Sequence, residues 1–178
     1  MLRRTRSLLG IAALVAGLLV PAAGSADPHG ALSSASQVQT ALLDRVNALR
    51  ARHGVSRLRF SARLSAAANS HSVQMARLGY FSHNSADGAS FSQRIQRYYG
   101  SRGYRRWAVG ENLLWGSPEI GPGRALRLWL SSPGHRAILL SSRWSEIGLA
   151  AVHSTSAPGV YGGSPTTIVT ADFGARTR

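Results

Sequence analysis

The stretch M-A-R-L-G-Y-F-S-H at 75–83 brings a helix to its end and sets a histidine just beyond it. Met75 and Leu78 are the last apolar residues of a pattern that begins at Leu64 and runs through Ala67, Ala68 and Val73. Ser61 is placed to cap its first turn and Gly79 to stop it. His83 therefore hangs from a helix end rather than a helix face. Two further motifs share this build: G-E-N at 110–112 and S-P-G-H-R at 132–136 each set one ionisable side chain among residues suited to a turn or an element end. Imidazole is the common neutral metal ligand and proton carrier near pH 7, and a carboxylate beside it can polarise water or fix its tautomer. His83, Glu111 and His135 are thus candidates for one site, provided the fold brings them together.

Working outward, Val38, Leu42, Val46 and Leu49 recur at helical spacing over 37–53, with Gly54 as the stop. A short extended link follows at 58–60. Beyond His83, residues 84–88 read as a loop turning at Asp87-Gly88, and Ser90 caps a helix over 91–98. Residues 100–106 form a glycine- and arginine-rich loop that leads through Trp107 into an extended approach to Glu111. Pro122 or Gly123 opens a fourth helix over 124–130, and Pro133-Gly134 reads as ending it just before His135. The period then changes. Ile147, Leu149 and Ala151 alternate and 167–173 is rich in β-branched residues, which predicts two strands around a polar hairpin or loop over 154–165. Helices first and strands later argue for an α+β fold in which helices cover a small, largely antiparallel sheet.

Residues 1–26 carry an address. Arg3, Arg4 and Arg6 precede an apolar run from Leu8 to Val20, then Pro21 and the small-residue string at 22–26. This is the order of a secretory signal peptide cut after Ala26, with an uncleaved anchor as the rival reading. It implies a secreted chain with a flexible lead over 27–36, one domain over 37–178, and no later stretch able to span a bilayer. With no cysteine, the domain must hold together by burial alone. All 21 basic residues are arginine, and without the three in the leader 18 remain against 7 acids, a formal charge of +11. That balance favours polyanions such as cell-wall polymers or anionic lipid heads. The arginines run from Arg45 to Arg178 without a basic block, so the charge reads first as solvated surface and not as a specific nucleic-acid site.

Taken in order, Val46, Asn47 and Arg50, Leu58, the 75–83 stretch, Asp87-Gly88, Arg94-Ile95, Gly110-Glu111-Asn112, Trp129, the S-P-G-H-R motif, Ile147-Gly148 and Asp172-Phe173-Gly174 form a set whose spacing is specific although no single piece is. The set resembles the CAP superfamily of cysteine-rich secretory, venom-allergen and plant pathogenesis-related proteins, and more closely its cysteine-free bacterial secreted branch, over about 38–174. The resemblance implies a three-layer α-β-α sandwich with a central, mainly antiparallel sheet. It also implies a cleft where His83, Glu111 and His135 meet, and weak binding of a divalent metal by the two histidines. Two departures stand out. The second glutamate found in many relatives three residues after the tryptophan is here Ser132, and Ile138 stands where bacterial relatives commonly carry asparagine.

Zinc prefers four ligands, and catalytic zinc sites usually take three from the protein. His83 and His135 supply two, so an ion there is weakly held unless Glu111 or water completes the shell. Alternatively the two histidines and Glu111 only tie loops together. Glu111 itself reads either as a buried acceptor paired with His135 or as a general base. His71 reads as a partly buried helical residue, and His29, His53 and His153 as lead, helix-end and loop residues. Neither a G-x-S-x-G elbow nor an H-E-x-x-H motif is present, which argues against a serine hydrolase or a zincin. Three functions follow: a non-enzymatic extracellular protein binding a lipid, a sterol-like molecule or an envelope polymer; a metal-dependent hydrolase or peptidase using His83, His135 and Glu111; or a surface interaction module with a purely structural His/Glu cluster.

Overall fold

In the computed structural model, which describes residues 28–178 with side chains from 37 onward, Ser61 is extended and its Oγ accepts the Leu64 N–H at 3.4 Å. That cap starts the helix α2 (Ala62–Leu78), and Gly79 ends it at φ +71°, a left-handed conformation open to glycine without a steric penalty. The other elements in chain order are α1 (Pro28–Arg52), β1 (Arg59–Phe60), α3 (Phe91–Tyr98), β2 (Arg106–Gly116), α4 (Pro122–Ser131), α5 (Pro133–Leu140), β3 (Glu146–Ala157) and β4 (Ser164–Thr177). A single 3-10 turn, Gly159–Tyr161, joins the last two strands. The sheet order is β1-β3-β4-β2, with β1 parallel to β3 and the other pairings antiparallel.

The alternation of β3 and β4 decides the layers. Ile147, Leu149, Ala171 and Phe173 face one way and pack on Leu42, Val46 and Leu49 of α1, Trp129 of α4 and Leu139 of α5. The opposite face takes α2 and α3, where Leu64 and Ala67 meet Ile95 and Tyr99, and Met75 meets Leu113 and Ile168. The result is the three-layer α-β-α sandwich expected. Arg50, fully buried near the end of α1, donates from Nη1 to the carbonyls of Leu139 and Ser141 at 2.7 and 3.0 Å and so ties down the far end of α5. Among the described residues no helix is long and apolar enough to cross a membrane.

Three expectations change. Helix α1 begins at Pro28, so the residues read as a flexible lead from 28 to 36 are helical backbone. The signal peptide expected over 1–26 lies outside the described residues. Half of the polar stretch 154–165 is strand, because β3 runs to Ala157 and β4 starts at Ser164, and His153 lies in β3 rather than in a loop. Pro133 and Gly134 do not end a helix before His135 but begin α5. Ser132 is extended, and Pro133 takes the first helical position, where its missing N–H would have no partner anyway.

Candidate functional site at the edge of the sheet

Glu111 lies in β2, the edge strand, with its side chain under α2 and α3. It is fully buried, and both oxygens are engaged: Oε1 accepts Nδ1–H of His83 at 2.7 Å, and Oε2 accepts the guanidinium of Arg94 from α3. Arg94 Nη1 also donates to the His83 carbonyl at 3.0 Å and to Ser85 Oγ at 3.1 Å. One guanidinium therefore fixes both the carboxylate and the loop that carries His83. The capping box at the start of α3, Ser90 with Gln93, sets the helix from which Arg94 reaches inward. Because His83 Nδ1 carries the proton given to Glu111, the neutral ring keeps its lone pair on Nε2. Its side chain remains 52% exposed, over a carboxylate that is wholly hidden.

His71 is fully buried rather than partly so. Its Nε2–H donates to the Ser82 carbonyl at 2.8 Å, which pins the loop leading to His83 from below. Burial, and then the nearby Arg94 charge, pushes its pKa down to about 4, so it stays neutral and is a fixed part of the scaffold. His135 arrives from the other layer. It sits in the first turn of α5, where its carbonyl accepts from Asn112 Nδ2 at 3.0 Å, and Asn112 follows Glu111 on β2 with its side chain on the opposite face. Burial lowers the His135 pKa first, and the charge of the neighbouring His83 lowers it further. The two histidines thus approach each other around the edge of β2. The expected pairing of Glu111 with His135 is not made: the carboxylate belongs to His83 and Arg94, on the far face from α5.

Directly opposite Glu111 in the register stands Asp172 of β4, wholly buried, with no cation of its own among the described residues. Burial and then the Glu111 charge raise its pKa well above the usual carboxylate range. Neither of its oxygens finds a donor. A proton on Asp172 resolves both difficulties, since the neutral acid can then donate toward Glu111. Sequence reasoning assigns no role to Arg94 or Asp172, although a charged residue inside the strand run T-I-V-T-A-D-F is itself a signal of a buried polar contact.

A test follows from the sign of that shift. A carboxyl whose folded pKa is raised lets the domain keep full stability below the unfolded value, near 4, and lose it as pH rises toward the folded value. Asp172→Asn removes this loss, so the variant should gain on the wild type by up to about 1.4 kcal/mol per pH unit above about pH 4. Urea unfolding of both proteins at pH 4.5 and 7.5 reads it. A gap that does not widen in favour of the variant would show Asp172 to be ionised.

The donor set available to a metal is narrow. Glu111 is spent on His83 and Arg94, and among the described residues no group of three or more His, Cys, Asp or Glu side chains is placed to hold one ion. Among the described residues the donor set therefore does not make a closed metal centre, and Glu111 serves to orient His83.

With this geometry in view, the chain belongs to the CAP family, described as the cysteine-rich secretory protein family, which it matches over residues 43–173. Its lack of cysteine fits the bacterial branch. It is 31% identical over 132 residues to the uncharacterized membrane protein YlbC of Bacillus subtilis. Among solved structures it resembles an extracellular protein containing an SCP domain from Bacillus anthracis, at 26% identity and a TM-score of 0.65, covering 88% of this chain and 45% of that one. It also shares the fold of an outer surface protein from Borrelia burgdorferi, at 21% identity and a TM-score of 0.63, covering 79% and 94% of the two chains. The chain spans only 36% of the length of YlbC, and 46% of that of another Bacillus subtilis relative, the uncharacterized protein YkwD, to which it is 29% identical over 124 residues.

Proposed function

We propose that the domain works outside the cytoplasmic membrane as a non-enzymatic CAP binding protein, taking a lipid or sterol-like ligand or an envelope polymer, with a weak divalent-metal site on His83 and His135. One observation carries this reading: both oxygens of the buried Glu111 are committed, one to His83 and one to Arg94, so this carboxylate is not free to activate water. The leader-like order of residues 1–26 and the extracellular and outer-surface descriptions of two structural neighbours support the compartment. An open recess of about 550 Å³ on the outer face of α5, lined by Leu130, Ser131, Pro133, Arg136, Ala137 and Leu140, supports an amphipathic ligand on the side of that helix away from His135.

Protein recovered from its own secretion medium and extracted into organic solvent should yield a stoichiometric lipid by mass spectrometry. Metal-dependent cleavage of a peptide library, lost in Glu111→Gln, would instead establish the hydrolase reading. For the metal, calorimetric titration with zinc should show binding abolished by His83→Ala and by His135→Ala. Glu111→Gln should weaken it by about 10–100-fold, as expected of a residue that orients a ligand. Binding should fade as pH falls through the imidazole range, because a protonated ring cannot ligate. Unchanged affinity in both histidine variants would remove the metal from the proposal.

A further inference from the structure

Away from the His83–Glu111 site, the loop entering β2 is built with unusual care for a surface segment. Arg176 of β4 lies against two tyrosines, its guanidinium 3.6 Å from the Tyr99 ring centre and 4.6 Å from that of Tyr104, and its Nη1 donates to the Gly100 carbonyl at 3.3 Å. Tyr104 N–H donates to the Ser101 carbonyl at 3.1 Å and Arg105 N–H to the Thr177 carbonyl at 2.9 Å. Gly103, at φ +82°, makes the turn. Arg176 thus serves the fold, whereas Arg102, Arg105 and Arg106 are exposed, and among the described residues none of them pairs with a carboxylate. A recess of about 370 Å³ opens between Arg105, Arg106 and Thr177. Three exposed guanidinium groups within five residues, at the entry to β2, make a local excess of positive charge that attracts anions.

We propose that this loop, with the end of β4, is a docking surface for a linear phosphate-bearing polymer, with Arg102, Arg105 and Arg106 pairing with its phosphates. The planar guanidinium fork suits phosphate oxygens. The aromatic residues here are not free to stack on bases: Tyr99 is buried, Tyr104 carries Arg176, and Trp107 Nε1 is tied to the Tyr99 carbonyl at 2.7 Å. Of the large exposed apolar side chains only Tyr98 is near the loop in sequence, which leaves little to insert into a bilayer. That the natural partner is an envelope polymer rests on the extracytoplasmic reading above. The surface itself does not, and the following experiment is independent of compartment.

Binding of long-chain inorganic polyphosphate is measured against salt for the wild type, for Arg102→Gln/Arg105→Gln/Arg106→Gln, and for a control that removes the same charge from α1 and α4, Arg45→Gln/Arg124→Gln/Arg127→Gln. The loop variant should bind at least about tenfold more weakly and lose about 2 from the slope of log K against log salt, as three lost phosphate contacts imply, while the control changes by less than about threefold. Because all six arginines are exposed, melting curves should be unchanged. Equal losses in the two variants, or no polyphosphate binding by the wild type, would overturn the proposal. So would binding to phosphatidylglycerol vesicles without binding to polyphosphate, or preference for single-stranded DNA of equal charge that is lost in Tyr98→Ala.

Discussion

Arg94→Ala should cost the domain about 3–5 kcal/mol, the range for removing one partner of a buried ion pair and stranding the other. Glu111 is wholly buried and Arg94 nearly so, and the guanidinium is the only fixed cation paired with that carboxylate among the described residues. The same substitution frees the His83 carbonyl and Ser85 Oγ, so the loop carrying His83 should loosen as well. A double-mutant cycle separates charge from packing. If the stranded charge is the main cost, Arg94→Ala/Glu111→Gln should be more stable than Arg94→Ala alone, and the deficit of the single variant should shrink in acid, where a proton can replace the guanidinium. Denaturant unfolding of the four proteins gives the result. A double variant no better than Arg94→Ala would assign the loss to packing and overturn this account of the cluster.

Gly148→Ala should be similarly severe, at least about 3 kcal/mol, from overpacking that cannot relax. A Cβ at 148 would lie 2.0 Å from the Ser65 nitrogen and 2.1 Å from the Leu64 carbonyl carbon, and these are helix backbone atoms that cannot step aside. Gly148 pairs with Asp172 on the face that carries Glu111, so its bare Cα is what lets α2 lie close over the polar cluster. Ser65 Oγ, which accepts the Leu149 N–H at 2.9 Å, marks the closeness of this approach. Gly134→Ala is the natural control, because a Cβ there meets nothing within 4 Å. Thermal melting and unfolding midpoints compare the two. A Gly148→Ala protein within about 1 kcal/mol of the wild type would mean that α2 has room to move.

Much of this arrangement is legible in the chain because local chemistry speaks for itself there. Ser61 and Ser90 are the kind of residue that caps a helix, Gly79 the kind that ends one, and the alternation of Ile147, Leu149 and Ala151 marks a strand with one buried face. Where one residue serves two purposes, the reading fails. Proline both stops a helix and opens one, so Pro133 after α4 reads as a stop when it begins α5. The serine- and threonine-rich stretch after His153 has the composition of a loop, yet outward-facing positions of a strand can be equally polar. The three candidate site residues are visible in the sequence, because histidines just past a helix end or beside Pro-Gly, and a glutamate between Gly110 and Asn112, are conspicuous. Their pairing is not, because it depends on which face of β2 each neighbour covers. Arg94, inconspicuous among the polar residues of α3, and Asp172, alone in an apolar run, gain their meaning only when α3 and β4 are folded against Glu111.

The edge position of β2 has one more consequence. His83 hangs from the layer of α2 and α3, and His135 stands on the layer of α4 and α5, with the rim of the sheet between them. The site is therefore a seam joined from two pieces of cloth, each stitched to its own lining: Arg94 and His71 on one side, Asn112 and Arg50 on the other. Inheritance can alter either piece alone. A lengthened loop after His83 or a reshaped start of α5 changes what the seam closes on while the other half and the core beneath stay as they were, which gives one fold a ready means of acquiring many ligands.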